Sequence, residues 1–217
     1  MKSYNILALD PAISTGYALA TINPITQTAD IYEYGFIELD TEDERDGAKA
    51  VEMMDKVEIL IYKHNIKHVV VEDYFFSRKF ATGSMLNAAL RTAIHAKCVL
   101  MDIEYTILGI SLWKKFINKR TTPTKEQKAL YGKEPAKKIM TQQSLWEQFG
   151  FRFPNHSISQ KTNKPIKFRY DIVDAVAQCV THCILSERCN IDKITLSVEP
   201  AKDVKLASKA KLFIYNY

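Results

Sequence analysis

The feature that most restricts the fold of this 217-residue chain is the order in which its apolar runs change period. Residues 4–9 (YNILAL) form a continuous apolar run closed by Asp10-Pro11, the pattern of a buried strand stopped by proline. A turn at 13–16 leads to a second strand at 17–22, and a third follows at 31–39. Residues 44–65 switch to helical spacing, with Val51, Met54, Val57, Ile59, Leu60 and Ile61 on the predicted apolar face. A β-branched strand at 68–71 ends at Glu72, a second long helix spans 83–101, and a fifth strand spans 105–110. Three antiparallel-looking strands followed by helix, strand, helix and strand predict an α/β architecture. Its core is a mixed five-stranded sheet with helices packed on both faces.

The second half reads differently. Residues 118–131 are polar and basic and predict a loop, 136–149 a helix anchored by Ile139, Leu145, Trp146 and Phe149, and 154–167 another basic loop. Residues 170–187 predict a strongly apolar helix with two aspartates near its start. Candidate strands at 194–198 and 212–217 flank a final basic segment. The expected organisation is one domain over 1–189, with a basic insertion near 117–131, and a C-terminal extension over 190–217.

Charge is distributed unevenly along this order. Residues 1–110 hold 10 basic and 16 acidic side chains, residues 111–169 hold 14 and 3, and the remainder is balanced at 6 and 6. The overall +5 is therefore a basic segment set beside an acidic one, a layout that suits a polyanion more than a membrane surface. No apolar stretch approaches a membrane span, and the N-terminus carries no signal-peptide pattern. Cys98, Cys179 and Cys183 fall within apolar helical patterns, so reduced buried thiols and a soluble, intracellular setting are expected.

Four acids stand at element ends. Asp10 closes the first strand and Glu72 the fourth, and parallel neighbouring strands would bring those ends together. Asp171 and Asp174 are three apart on a helix and share a face. Carboxylates held close repel unless a cation lies between them, and an all-oxygen set selects a hard ion such as Mg²⁺ over Zn²⁺. Each acid alone has an ordinary explanation: a turn, a strand end, a helix first turn.

Together the motifs LALDPAISTGYAL (7–19), VVVEDYFF (69–76) and RYDIVDAVAQCVTH (169–182) resemble the RuvC-like Holliday junction resolvases of the ribonuclease H-like nuclease superfamily. SMLNAALRTAIHAKC (84–98) resembles the family helix after the glutamate strand, and GKEPAKKIMTQQS (132–144) its G-x-G-x-A-x-K segment. The resemblance spans about residues 4–185. It implies a ribonuclease H-like fold, a homodimer, and metal-dependent hydrolysis of four-way DNA junctions by paired symmetric nicks that leave 5′-phosphate and 3′-hydroxyl ends. It also implies two Mg²⁺ per active site, with Mn²⁺ able to substitute.

The metal ligands it implies are Asp10, Glu72, Asp171 and Asp174, with Asp10 between the two ions and Lys138 as a further catalytic residue. For DNA contact it implies Phe75, which would stack at the junction, Lys138, and Lys114 or Lys115 at a basic position before it; the charge of the basic segment adds Lys119, Arg120 and Lys137 as candidates, with both Lys114 and Lys115. Where the family usually has D-P-G this chain has Asp10-Pro11-Ala12. Glu134 replaces the second glycine of the G-x-G segment, and about a dozen residues are added between Phe116 and Gly132.

Other constellations are weaker. Cys179, His182, Cys183 and Cys189 lack the spacing of a zinc motif, and His64, His68, His95 and His156 have no evident ligand partners in the sequence. An actin-like or sugar-kinase-like ATPase would need a second phosphate-binding segment. A DNA-binding protein without catalysis would have no need of all four acids. A related nuclease of the same fold, cutting other branched DNA or RNA–DNA hybrids, is separable only by comparing substrates.

Overall fold

Strand β1 (Tyr4–Asp10) is apolar on both faces, and the whole architecture follows from covering it twice. Ile6 and Ala8 point into one core layer and Leu7 and Leu9 into the other, all fully buried. Burying a side chain of that size stabilises by about 1.5–3 kcal/mol, so helices are required on each side. β1 pairs antiparallel with β2 (Ser14–Asn23), which pairs antiparallel with β3 (Thr28–Glu38). On its other edge β1 runs parallel to β4 (Ile66–Glu72), which runs parallel to β5 (Glu104–Leu108). The computed structural model describes residues 2–39, 45–73, 81–154, 156–158, 162 and 164–198.

Helices α1 (Asp46–His64) and α2 (Ala81–Leu100) cover the Leu7/Leu9 face. The Ile6/Ala8 face is covered by α3 (Ile110–Asn118), α5 (Lys133–Phe149) and α6 (Asp171–Leu185), while α4 (Lys125–Tyr131) packs on α5. This is a mixed sheet between two helical layers, as the order of elements predicts, and it is the architecture that the ribonuclease H-like resemblance implies.

Several details depart from expectation. The sheet has six strands among the described residues. The sixth, Ile194–Leu196, lies in the segment set apart as an extension and pairs parallel with β3. The polar stretch 118–131, expected as a loop, contains α4, which starts at a reciprocal cap between Thr124 and Gln127. α3 was not anticipated either. The basic segment 154–167 includes a short hairpin, His156–Ile158 with Pro165–Lys167. On α1 the buried residues are Met53, Val57 and Ile61, a strict spacing of four that leaves Val51 and Ile59 exposed.

The turn after β1 occupies Pro11–Ile13 rather than 13–16. Thr15 Oγ1 donates to the Ala12 carbonyl at 2.7 Å and accepts from the Ala12 N–H at 3.1 Å, which closes the turn. Ala12 does not have a positive φ, so the turn does not need the glycine usual in D-P-G.

Gly16 then lies in β2 directly opposite Asp10, and a Cβ there would fall 2.0 Å from the Asp171 carbonyl oxygen. The missing side chain is what lets the start of α6 rest on the sheet at the height of Asp10. Gly16→Ala should therefore destabilise the protein by about 1–3 kcal/mol or more through forced displacement of α6. Urea denaturation measures this, and a wild-type midpoint in the variant would contradict the close approach.

Candidate active site

The parallel register of β1 and β4 sets Leu9 opposite Val71, which brings Asp10 level with Glu72 at the carboxyl ends of both strands. Alternation turns both side chains toward α6, on the same face as Ile6, Ala8 and Val70. α6 starts at Asp171, against Gly16, with Asp171 and Asp174 in its first turn. Four carboxylates from three elements therefore converge at one end of the β1–β4–α6 sandwich. Asp10 and Glu72 share a hydrogen bond, and Asp10 feels the charges of Glu72 and Asp171. Asp174 feels those of Asp10 and Asp171.

The protonation equilibria register this crowding. Burial, then the charges of Glu72 and Asp171, holds the Asp10 carboxyl well above the usual carboxylate range. Burial, then Asp10, pushes Asp174 up to about 8. Burial also raises Glu72 and Asp171, opposed at Asp171 by Lys138 and Arg169. Four hard oxygen donors whose ionisation is held back by desolvation and one another fit divalent cations well, since a cation removes that cost. Among the described residues no three of these acids bring one oxygen each within 4.8 Å of the others.

The surrounding side chains hold the acids in place. Trp113 of α3 is fully buried and its indole N–H donates to Glu72 Oε1 at 2.6 Å. Thr141 of α5 hydrogen-bonds Asp174 and is met by the Asn118 amide of α3 at 3.4 Å. Neither Trp113 nor Thr141 was anticipated; the available signal for Trp113 was a tryptophan beside two lysines in the segment richest in basic residues. Lys114 is half-buried beside Asp10, Glu72 and Asp174, with its ammonium 4.9 Å over the Trp113 ring. It belongs to the acid cluster, whereas Lys115 is exposed.

Lys138 is exposed near Asp171, 5.9 Å over the Tyr170 ring, and Lys137 is exposed next to it. Lys119 and Arg120 are exposed just beyond α3, where Lys119 hydrogen-bonds the Phe116 carbonyl at 3.2 Å. Phe75 lies outside the described residues.

One expectation fails outright. His68 has ligand-like partners: His68, His182 and Glu187 each offer a ligand atom within 4.8 Å of the others, a set able to hold one metal ion. His68 and His182 are far apart in sequence and meet only because α6 docks on β4. His64 Nε2 lies 3.7 Å from Glu33, and the His95 ring packs on Tyr105 with centroids 3.9 Å apart.

No family model and no curated protein matches the sequence. Solved structures do match in fold. Thermus thermophilus RuvC superposes with a TM-score of 0.58 at 12% identity, covering 85% of this chain and 96% of that one. The same protein in complex with a Holliday junction substrate gives 0.57 at 13%, with the same coverage. The yeast mitochondrial Holliday junction resolvase gives 0.50 at 15%, covering 84% and 80%. The chain shares the fold of these structures, a mixed sheet of the ribonuclease H-like kind between helical layers. No helix among the described residues is long and apolar enough to cross a membrane.

A raised carboxyl pKa makes the metal-free protein less stable as pH rises. Asp174 is neutral in both states below about pH 4, and its stabilising neutral form is lost as pH climbs through its folded value of about 8. Asp174→Asn in chelator should match wild type near pH 4 and gain steadily above it, with Tm roughly 5–10 °C higher by pH 8.5. Calorimetry showing a pH-independent difference would contradict the buried, crowded carboxyl.

Proposed function

We propose that this chain is a divalent-metal-dependent endonuclease that resolves branched DNA, four-way junctions above all, by paired symmetric nicks leaving 5′-phosphate and 3′-hydroxyl ends. The observation that carries this reading is the convergence of Asp10, Glu72, Asp171 and Asp174 at the carboxyl end of β1 and β4, beside a basic surface. Asp10, Glu72, Asp171 and Asp174 would together hold the Mg²⁺ that the reaction needs, two ions per site on this reading. Such ions, when bound, activate the attacking water and neutralise charge on the attacking and leaving oxygens. Mn²⁺ meets the same oxygen donors and would substitute.

The chain's own groups supply the rest. Trp113 and Thr141 hold Glu72 and Asp174 in fixed orientations, so the acids need not reorganise as charge develops. Lys114 limits their repulsion before metal and DNA arrive. Lys138, exposed beside Asp171, would bind the phosphate next to the scissile bond. Lys115, Lys119, Arg120 and Lys137 would hold the backbone of the junction arms, a contribution that weakens with salt and reads no sequence.

Cutting two opposed strands calls for two sites related by a two-fold axis. α2 presents Met85, Thr92, Ala96 and Val99 on one exposed stripe at spacings of seven, four and three, and Leu100 beside it is also exposed. Apolar residues in that arrangement suit a second copy of the same helix, so the active species is taken to be a homodimer. Four free buried cysteines fit a reducing, intracellular compartment.

Purified protein incubated with a synthetic four-way junction, a flap, an RNA–DNA hybrid and a linear duplex, with and without Mg²⁺, tests the reading. Symmetric Mg²⁺-dependent cuts in the junction are expected, abolished by Asp10→Asn while junction binding persists. Equal cutting of the linear duplex, or full activity of Asp10→Asn, would overturn it. Preference for flap or hybrid would keep the chemistry and change the substrate.

A further inference from the structure

We propose that His68, His182 and Glu187 form a second metal site, which takes a borderline divalent ion of the Zn²⁺ class and joins the C-terminal end of α6 to β4. The site lies on the same face of the same elements as the four carboxylates, but at the opposite end. His68 precedes Glu72 by four residues on β4, about 13 Å at strand rise. His182 follows Asp174 by eight residues on α6, about 12 Å at helical rise. Ile6, Ala8 and Val70 fill the space between. The two centres are therefore distinct, and their donors sort different ions: four carboxylates select a hard cation, and two imidazoles with one carboxylate select Zn²⁺.

The site is assembled without an ion. His182 is 1% exposed, its Nε2 lies 3.0 Å from Glu187 Oε1, and its Nδ1 is buried with no hydrogen-bond partner. Nε2 is the ring nitrogen that faces Glu187, and the His68 ring lies beside it with the two ring centroids 4.7 Å apart. The 3.0 Å between nitrogen and oxygen is close to the roughly 3.3 Å edge of a tetrahedron with bonds of about 2.0 Å.

An outer layer is also present. The Tyr4 hydroxyl donates to Glu187 Oε2. His68 has Thr106 Oγ1 at 2.8 Å from Nε2 and Glu104 at 3.5 Å from Nδ1, so whichever nitrogen turns to the metal, the other keeps a partner. Zinc-binding histidines are usually oriented in this way. The Cys183 and Cys189 thiols hydrogen-bond to one another, and neither sulfur is among the ligand atoms that converge within 4.8 Å. The ligand set is therefore nitrogen and oxygen, with one position left for water.

The test needs no DNA and no cleavage, so it is independent of the nuclease reading. The full chain is loaded with Zn²⁺ or Co²⁺, freed of excess ion and analysed for metal content, affinity and Co²⁺ absorption. One tightly held Zn²⁺ per chain is expected, with the visible bands of four-coordinate Co²⁺ and a raised Tm. His68→Asn and Glu187→Gln, both partly exposed and tolerant of change, should each weaken binding by on the order of 100-fold. Asp10→Asn and the Cys183→Ser/Cys189→Ser pair should bind as wild type does. The proposal is overturned if no Zn²⁺ is retained, if both ligand variants bind normally, if Co²⁺ is six-coordinate, or if affinity follows the cysteines or Asp10 instead.

Discussion

Repulsion among four carboxylates in a poorly hydrated corner is the constraint on which the rest of the structure turns. Left in water, Asp10, Glu72, Asp171 and Asp174 would ionise separately and move apart. Here strand pairing, the docking of α6 and the indole of Trp113 hold them facing one another, and their proton affinities rise in consequence. Divalent cations would relieve that cost, and Lys114 offsets part of it in their absence. On the proposed reading, the scaffold holds the acids in a fixed arrangement, ready to exchange protons for metal.

The means of holding them is local and economical. A continuous ladder between β1 and β4 sets Asp10 beside Glu72, and the absence of a side chain at Gly16 lets α6 come down onto β2 at that level. α6 is buried along almost its whole length, so its ends cannot shift independently. Its first turn carries two of the acids, and its last turn carries His182, at the other end of the same sandwich. Whatever fixes one end of this helix constrains the other.

Much of this was legible in the sequence, for physical reasons that also explain what was not. Strand β1 and the helix starting at Asp171 stand out because their residues are buried on every side, so apolar runs with an acid at one end survive without ambiguity. α3 and α4 did not stand out: α4 buries no residue, and its only signature is the Thr124/Gln127 cap in a stretch whose composition suggests a loop. The phase of α1 was misjudged because apolar residues occur on two sides of it and only contact with the sheet selects Met53, Val57 and Ile61. Trp113 with Glu72, and His68 with His182, are contacts across the fold between residues with no common motif, so nothing in the chain's local pattern pairs them.

The central claim is that the crowded carboxylates are a divalent-cation site in which metal displaces protons. Mn²⁺ binding followed by electron paramagnetic resonance from pH 6 to 8.5, in a Glu187→Gln background that removes the histidine cluster, tests it most directly. Affinity should rise about tenfold per pH unit for each proton displaced as pH approaches the Asp174 value of about 8, and Asp10→Asn should abolish the tight binding. Mn²⁺ affinity that is flat with pH and unchanged by Asp10→Asn would contradict the account.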